Sequence, residues 1–356
     1  MKTQVLQEKL LKWFTENQRD LPWRENYDPY QVWISEIMLQ QTQVKTALPY
    51  FDRWMKRFPT LKSVAAADEE TLLKLWEGLG YYSRVRNIQN TAKLLIEENQ
   101  GRFPTDFEQL KKLPGIGPYT AAAIASIVFE KNHAVMDGNV MRVLSRLYNF
   151  EGNTRLPKNQ AILQKMAEEL LPHGQARNFN QAMMELGALI CTTKKPDCPN
   201  CPVQKECLAN QLNVQDRLPN RGPAAKKIAI QVAIGILFQD GKIFIQKRPA
   251  EGLMPGLWEF PGGRLEKDES PEMALERELH EELSVKLTKI KPFMTLKHAY
   301  TKFQVQLHCF TAEIQSGTLS IKAAQEGKWV CLEELQNYAF PAANGLIIKN
   351  LVSRLK

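Results

Sequence analysis

The sequence predicts a multidomain fold, with an all-α domain over residues 1–213 followed by a smaller α/β domain over residues 228–356. Three observations carry this expectation. Apolar residues recur at helical spacing through the first part, as Leu6, Leu10 and Phe14, then Trp33 and Ile37, then the Leu72–Trp76 stretch, with Pro and Gly between segments. The run VQDRLPNRGPAAKK, residues 214–227, is rich in Pro, Gly, Ala and basic side chains and reads as a linker. Beyond it, residues 228–238 and 242–246 are β-rich and are separated by the hairpin signal Asp240-Gly241. One helical stretch, residues 270–283, interrupts further strands such as residues 303–310.

A chain of 356 residues has room for two substantial cores. A formal net charge of +8 points to a polyanionic partner, which the number alone leaves open between DNA, RNA and anionic lipid. The longest apolar runs, residues 121–129 and 228–238, are too short to span a bilayer. Residues 1–12 are mixed and charged, unlike a signal peptide. No membrane association and a cytoplasmic location are therefore expected. No internal repeat or low-complexity tract appears.

The run LPGIGPYTA, residues 113–121, carries the strongest local signal. A Pro-Gly-x-Gly turn opening into an apolar helix presents backbone N–H groups at a helix N-terminus, and Gly115 and Gly117 let a sugar-phosphate backbone approach. The same pattern also fits an ordinary helix–turn–helix corner. Downstream stands Asp137, in MDGNVMR.

Four of the six cysteines form Cys191-x6-Cys198-x2-Cys201-x5-Cys207. In a reducing compartment such a set reads as a metal site rather than two disulfides. The spacing lacks the paired CxxC of zinc ribbons, which favours a [4Fe–4S] cluster, with zinc as the alternative. Cys309 and Cys331 read as ordinary strand residues.

The hairpin, its downstream aspartate and the cysteine cluster together resemble the helix-hairpin-helix DNA glycosylases of the endonuclease III superfamily. Within that group, WISEIMLQQTQV (residues 33–44) and GLGYYSR (residues 78–84) are similar to the MutY branch, the adenine DNA glycosylases. The resemblance implies a base excision repair enzyme, acting as a monomer on double-stranded DNA that contains A:8-oxoguanine or A:G mispairs. Glu36, between Ile34 and Ile37, would be raised in pKa by burial and act as the acid for the leaving base. Asp137, beside Gly138 and near Arg142, would stay ionised and face the sugar, and the resemblance implies that it either stabilises the cation or bonds to it transiently.

The superfamily's strand-cutting members carry a lysine where this chain has Tyr119. A phenol forms no imine, so base removal without strand cleavage is expected. Tyr119 and Asn139 would orient the carboxylate and sugar by hydrogen bonding. The resemblance further implies that Gln41 and Tyr81 probe or intercalate beside the lesion, and that Trp23, Arg24 and Leu39 line the adenine pocket. DNA binding should weaken steeply with salt.

In the C-terminal domain the Nudix signature is nearly complete: Gly263-x5-Glu269-x7-Arg277-Glu278-Leu279-x-Glu281-Glu282-Leu283, with Ser284 where glycine is usual. Glu278, Glu281 and Glu282 fall at i, i+3 and i+4 of one helix, so their carboxylates are expected on one face, suited to Mg²⁺. Similarity to MutT extends to residues 243–263, placing Arg248 at a phosphate contact, and to FPAAN, placing Asn344 at a base contact. The Phe-Ser-His motif by which MutY proteins touch 8-oxoguanine appears as Tyr300-Thr301-Lys302. Two roles are expected for this domain: reading the lesion, with Tyr300 able to stack, or hydrolysing oxidised nucleoside triphosphates. A glycosylase/lyase acting on oxidised pyrimidines is a further alternative for the whole chain, against which Tyr119 stands.

Overall fold

The structure, a computed structural model, describes residues 3–223, 226–300 and 302–355, so Thr301 lies outside the described residues. The chain forms two compact units. One consists of Met1–Ala66 and Asn87–Ala224, the other of Ala67–Arg86 and Ala225–Lys356. The second unit thus includes a stretch drawn from within the helical part of the sequence.

The principal helices before the linker are α1 (Thr3–Asn17), α2 (Pro29–Leu39), α3 (Val44–Arg57), α4 (Glu69–Trp76), α5 (Ser83–Asn99), α6 (Pro118–Ala123), α7 (Gly138–Leu147), α8 (Pro157–Leu170) and α9 (Ala176–Leu189). In the first unit, Leu6, Leu10 and Phe14 form one face of α1, as their fourfold spacing dictates. That face packs with Val143, Leu144 and Leu147 of α7 and Phe179, Met183 and Leu186 of α9. No helix among the described residues is long and apolar enough to cross a membrane.

Helix α2 is built differently. Asp28 caps it, accepting the Gln31 N–H at 3.0 Å, and Pro29 occupies its first turn. Every residue from Val32 to Met38 is buried, so this helix runs through the core with no solvated face. Helix α6 starts at Gly117 with Pro118 in its first turn and passes into a π-turn, Ile124–Val128. The wider turn frees carbonyl oxygens, and Arg177 of α9 takes two of them, Ile127 at 2.6 Å and Val128 at 2.9 Å.

Among the described residues, the second unit is built on seven strands: β1 (Ile228–Gln239), β2 (Lys242–Lys247), β3 (Trp258–Glu259), β4 (Gly262–Arg264), β5 (Lys286–Ala299), β6 (Phe303–Ser316) and β7 (Glu326–Val330). Their order is β3-β2-β1-β6-β5, with β4 on β1 and β7 on β2. The β1 and β6 pair is parallel and the other pairs are antiparallel. Asp240 and Gly241 close the β1–β2 hairpin with φ of 49° and 73°, the two positive values a type I′ turn needs. Alternation along β1 sends Ala233 and Leu237 to one face, under helix α10 (Pro271–Leu283). Ile234 and Ile236 point to the other, under helix α11 (Ala342–Leu355). The sheet is therefore covered on both sides.

Gly262 lies in β4 at φ 140°, and a Cβ there would stand 2.1 Å from the Ala233 carbonyl oxygen on β1. Gly262→Ala is expected to destabilise the second unit by about 3 kcal/mol. Hydrogen exchange should show faster amide exchange across β1 and β4 with the α1–α7–α9 core of the first unit unchanged.

Candidate active site

Glu36 is carried by α2 into the core of the first unit and is 5 % exposed. Burial raises its pKa to about 7. The hydrogen bond from Tyr119 opposes that rise, the charge of Asp137 adds to it, and Arg24 opposes it. The Tyr119 phenol donates to Glu36 Oε2 at 2.6 Å. Tyr119 sits in the first turn of α6, directly after the Pro-Gly-x-Gly hairpin. Burial and the two carboxylates hold its own pKa well above the ordinary value, so it remains a donor. The carboxyl group that results is poised to give up a proton near neutrality.

Asp137 caps α7. Its Oδ1 accepts the Val140 N–H at 2.7 Å and its Oδ2 accepts the Asn139 side-chain amide at 2.9 Å. Burial raises its pKa, against the pull of these hydrogen bonds and of Arg142. Those donors and the helix N-terminus favour its ionised form. Asn139 in turn accepts from Arg142 at 2.8 Å, and Arg142 donates to the carbonyls of Gly187 and Cys191, each at 2.7 Å.

Of the residues expected to line the adenine pocket, Trp23 is buried edge-on against Phe51, with ring centroids 5.0 Å apart, while Arg24 and Leu39 are half-buried. Arg24 also reveals a residue the sequence reading passed over. It reaches Glu185 of α9 at 2.8 Å, and Arg19 grips the same carboxylate through both oxygens. Burial drives Glu185 up, but the two guanidinium groups bring it below the ordinary carboxylate value. Its signal was available: a glutamate inside the apolar run Met183-Met184-Glu185-Leu186, the same context as Glu36.

Gln41 is exposed just past the end of α2, at φ 60°. Tyr81 belongs to the second unit, at φ 48° and 46 % exposed. Such angles are uncommon for these residue types and persist where the surroundings dictate them. The hairpin itself exposes Gly115 and Gly117. Gly115 stands at φ 73°, and a Cβ there would meet the Asn87 side chain at 2.6 Å. Thr91 braces the turn from α5, donating to the Pro114 carbonyl at 2.8 Å.

The four clustered cysteines are half-buried thiols, and Cys191, Cys201 and Cys207 pack against the α1–α7–α9 core. Burial, with the neighbouring thiols adding to it, pushes Cys201 up to about 12. Arg146 of α7 is 2 % exposed and binds both ends of this loop. It donates to the Thr192 carbonyl at 2.7 Å, Cys191 Sγ at 3.3 Å, and the carbonyls of Gln215 and Leu218 at 2.9 and 3.1 Å. Among the described residues, no three His, Cys, Asp or Glu side chains are grouped so as to hold a single metal ion.

In the second unit, Arg277 is the hub of the Nudix segment. It grips both oxygens of Glu269 at 2.8 and 3.0 Å and reaches Glu278 at 3.0 Å and Glu281 at 3.2 Å. Glu278 lies against Gly263, where a Cβ would fall 2.0 Å from its carboxyl carbon. Glu282 turns to the sheet, accepts from Gln246 at 3.1 Å, and is raised in pKa by burial with Glu278 adding to it. Glu281 is at the exposed rim. Glu259 joins this neighbourhood but is paired with Arg248, whose Nε also donates to the Leu253 carbonyl. Asn344 is buried, with Oδ1 accepting the Phe260 N–H at 3.4 Å. Tyr300 is half-buried, edge-on to His298, and its carbonyl accepts from Lys227 at 3.0 Å.

Two family models match the chain. Residues 34–172 match the HhH-GPD superfamily of base excision DNA repair proteins, and residues 232–350 match the NUDIX domain. The adenine DNA glycosylase of Rattus norvegicus is 34% identical over 388 residues, covering 94% of this chain and 75% of the relative. That of Buchnera aphidicola subsp. Acyrthosiphon pisum is 31% identical and covers 97% of each. A solved structure of a non-covalent endonuclease III–DNA complex shares the fold of the helical part, with TM-score 0.52, 23% identity, and coverage of 60% of this chain and 99% of that one.

The raised pKa of Glu36 has a consequence for stability. The folded state holds this proton at pH values where the unfolded chain has lost it, so stability falls as pH rises from the ordinary carboxyl value of 4.5 towards about 7 and stays lower beyond. Glu36→Gln keeps an acceptor for Tyr119 and removes the charge. It is expected to stabilise the protein at pH 8 by on the order of 3 kcal/mol and to change little at pH 4, measured as melting temperatures across that range.

Proposed function

The chain belongs to the adenine DNA glycosylases, enzymes that remove adenine from DNA in base excision repair, and from that premise we propose that it acts on adenine opposite 8-oxoguanine or guanine and leaves the strand uncut. One observation carries the mechanism: a carboxyl group raised to about 7 by burial, hydrogen-bonded by Tyr119 and facing the charge of Asp137. Glu36 gives its proton to a ring nitrogen of the flipped adenine as the glycosidic bond breaks, so the bonding pair leaves with a neutral base. Asp137 stabilises the positive charge left on the sugar, and water then adds to that carbon, passing its surplus proton to the Glu36 carboxylate. Asn139 holds the Asp137 oxygen in place. Arg24, whose charge acts on Glu36, is itself held by Glu185. Tyr119 cannot form an imine with the sugar, which leaves an intact backbone at the abasic site.

Cys191, Cys198, Cys201 and Cys207 suit a [4Fe–4S] cluster. They lie in one loop and feel one another electrostatically, and each thiolate of such a cluster takes its own iron, so the four need not close around one point. The cluster would supply iron–thiolate bonds that fasten the loop, in addition to the bonds from Arg146. The second unit reads the lesion base, with Arg277 and Glu269 holding the Nudix segment in shape. A second reading, hydrolysis of an oxidised nucleoside triphosphate with Mg²⁺ held by Glu278 and Glu282, is favoured by the shared neighbourhood of Glu259, Glu278 and Glu282. Arg248, paired with Glu259, is what a phosphate would have to draw away.

Single-turnover release of adenine from an A:8-oxoguanine duplex tests the main reading. The rate should fall as pH rises through about 7, and Glu36→Gln and Asp137→Asn should each lose about 10³-fold or more. Borohydride should trap no covalent enzyme–DNA adduct; trapping would overturn the monofunctional assignment. Metal-dependent hydrolysis of 8-oxo-dGTP, lost in a Glu278→Ala Glu282→Ala variant that still releases adenine, would establish the second reading.

A further inference from the structure

The turn that carries Tyr81 is tightly held within the second unit. Gly80 and Tyr81 take φ of 70° and 48° in succession. Arg84 donates to the carbonyls of Leu79 and Gly80 at 2.9 and 3.1 Å, and Trp76 donates to Gly80 at 3.2 Å. The Arg84 guanidinium lies 5.6 Å from the Tyr81 ring centroid. This exposed ring is therefore set by its frame rather than by its own preferences.

The residues flanking that turn converge on one distant backbone unit. Tyr82, 5 % exposed, donates its phenol to the Phe340 carbonyl at 3.2 Å. Glu77 accepts the Phe340 N–H at 2.9 Å, and Lys74, paired with Glu77, donates to the Tyr338 carbonyl at 2.8 Å. Both polar groups of the Phe340 backbone are thus satisfied by side chains on either side of the Tyr81 turn. Phe340 stacks on Phe260 with centroids 5.9 Å apart, and Asn344 binds the Phe260 N–H. Tyr300 packs against the core cluster that contains Phe340 and Ala343. A continuous set of contacts therefore runs from Tyr300 through residues 340–344 to the base of the Tyr81 turn.

We propose that Tyr82 and Glu77 are positioning residues that tie the Tyr81 turn to the Phe340–Asn344 segment, and that through them the second unit sets the preference for adenine opposite 8-oxoguanine over adenine opposite guanine. The proposal rests on the reading of the second unit as the lesion reader. When a base engages Tyr300 or its neighbours, any shift of residues 340–344 is passed to Tyr81 through two hydrogen bonds. Without those bonds, Tyr81 takes the same average position whichever base stands opposite the adenine.

Single-turnover adenine release is compared on A:8-oxoguanine and A:G duplexes for the wild-type chain, Tyr82→Phe, Glu77→Leu and Glu77→Gln. Active-site titration corrects each rate for the fraction of folded enzyme. The wild type alone tests the lesion reading, since equal rates on the two duplexes would sink that reading and this proposal with it. Given a wild-type preference, Tyr82→Phe and Glu77→Leu should each reduce the ratio of the two rates about fivefold, the effect of one buried hydrogen bond, while keeping the A:G rate. Glu77→Gln, which retains an acceptor for the Phe340 N–H, should keep most of the preference. An unchanged ratio, or an equal fall of both rates, overturns the coupling and leaves these residues as structural props.

Discussion

The first unit depends on keeping one carboxyl group out of water. Glu36 sits on a helix with no solvated face, and the apolar residues that seal it, Ile34, Ile37 and Met38, also pin α2 in the core. Its Oε2 is offered a phenol at 2.6 Å instead of water. The same burial that fixes the helix raises the pKa of the group into the range where proton transfer is useful. Stability and chemistry pull in opposite directions at this residue, and the surrounding packing has to carry the difference.

Helix α7 is the second organising element. Its cap is Asp137, and its buried face supplies Arg142 and Arg146 to the cysteine loop. Asn139 and Arg142 join the cap to the Cys191 carbonyl by consecutive hydrogen bonds. The position of Asp137 and the closure of the loop are thus set by one rigid rod. Burial of Arg146 is tolerated because at least four carbonyl oxygens and a sulfur receive its donors.

Much of this was legible in the chain. The helical period of Leu6, Leu10 and Phe14, the Asp240-Gly241 turn and the spacing of the four cysteines each express a local rule, and local rules can be read from one sequence. Glu36 and Asp137 stand out as a charge in an apolar run and an acid before a glycine-led helix, but the roles expected of them came from the family resemblance and not from those patterns. What escaped was set by partners distant in sequence. Glu185 is held in its buried position by Arg19 and Arg24, more than a hundred residues earlier. Arg248, expected at a phosphate, is bound to Glu259, and the three Nudix glutamates divide between Arg277 and Gln246. Helical periodicity placed Glu69–Trp76 among helices, as it is, but gives no information on which unit a helix joins.

That last point bears on how the chain can be dissected genetically. Residues 67–86 are interrupted from their own unit by more than a hundred residues of the other. A truncation that deletes everything after the linker would strip Glu77, Lys74 and Tyr82 of the carbonyl and amide groups they hold. The phenotype of such a deletion would mix the loss of a domain with damage to a turn left behind, so the two units are separable in space but not by a single stop codon.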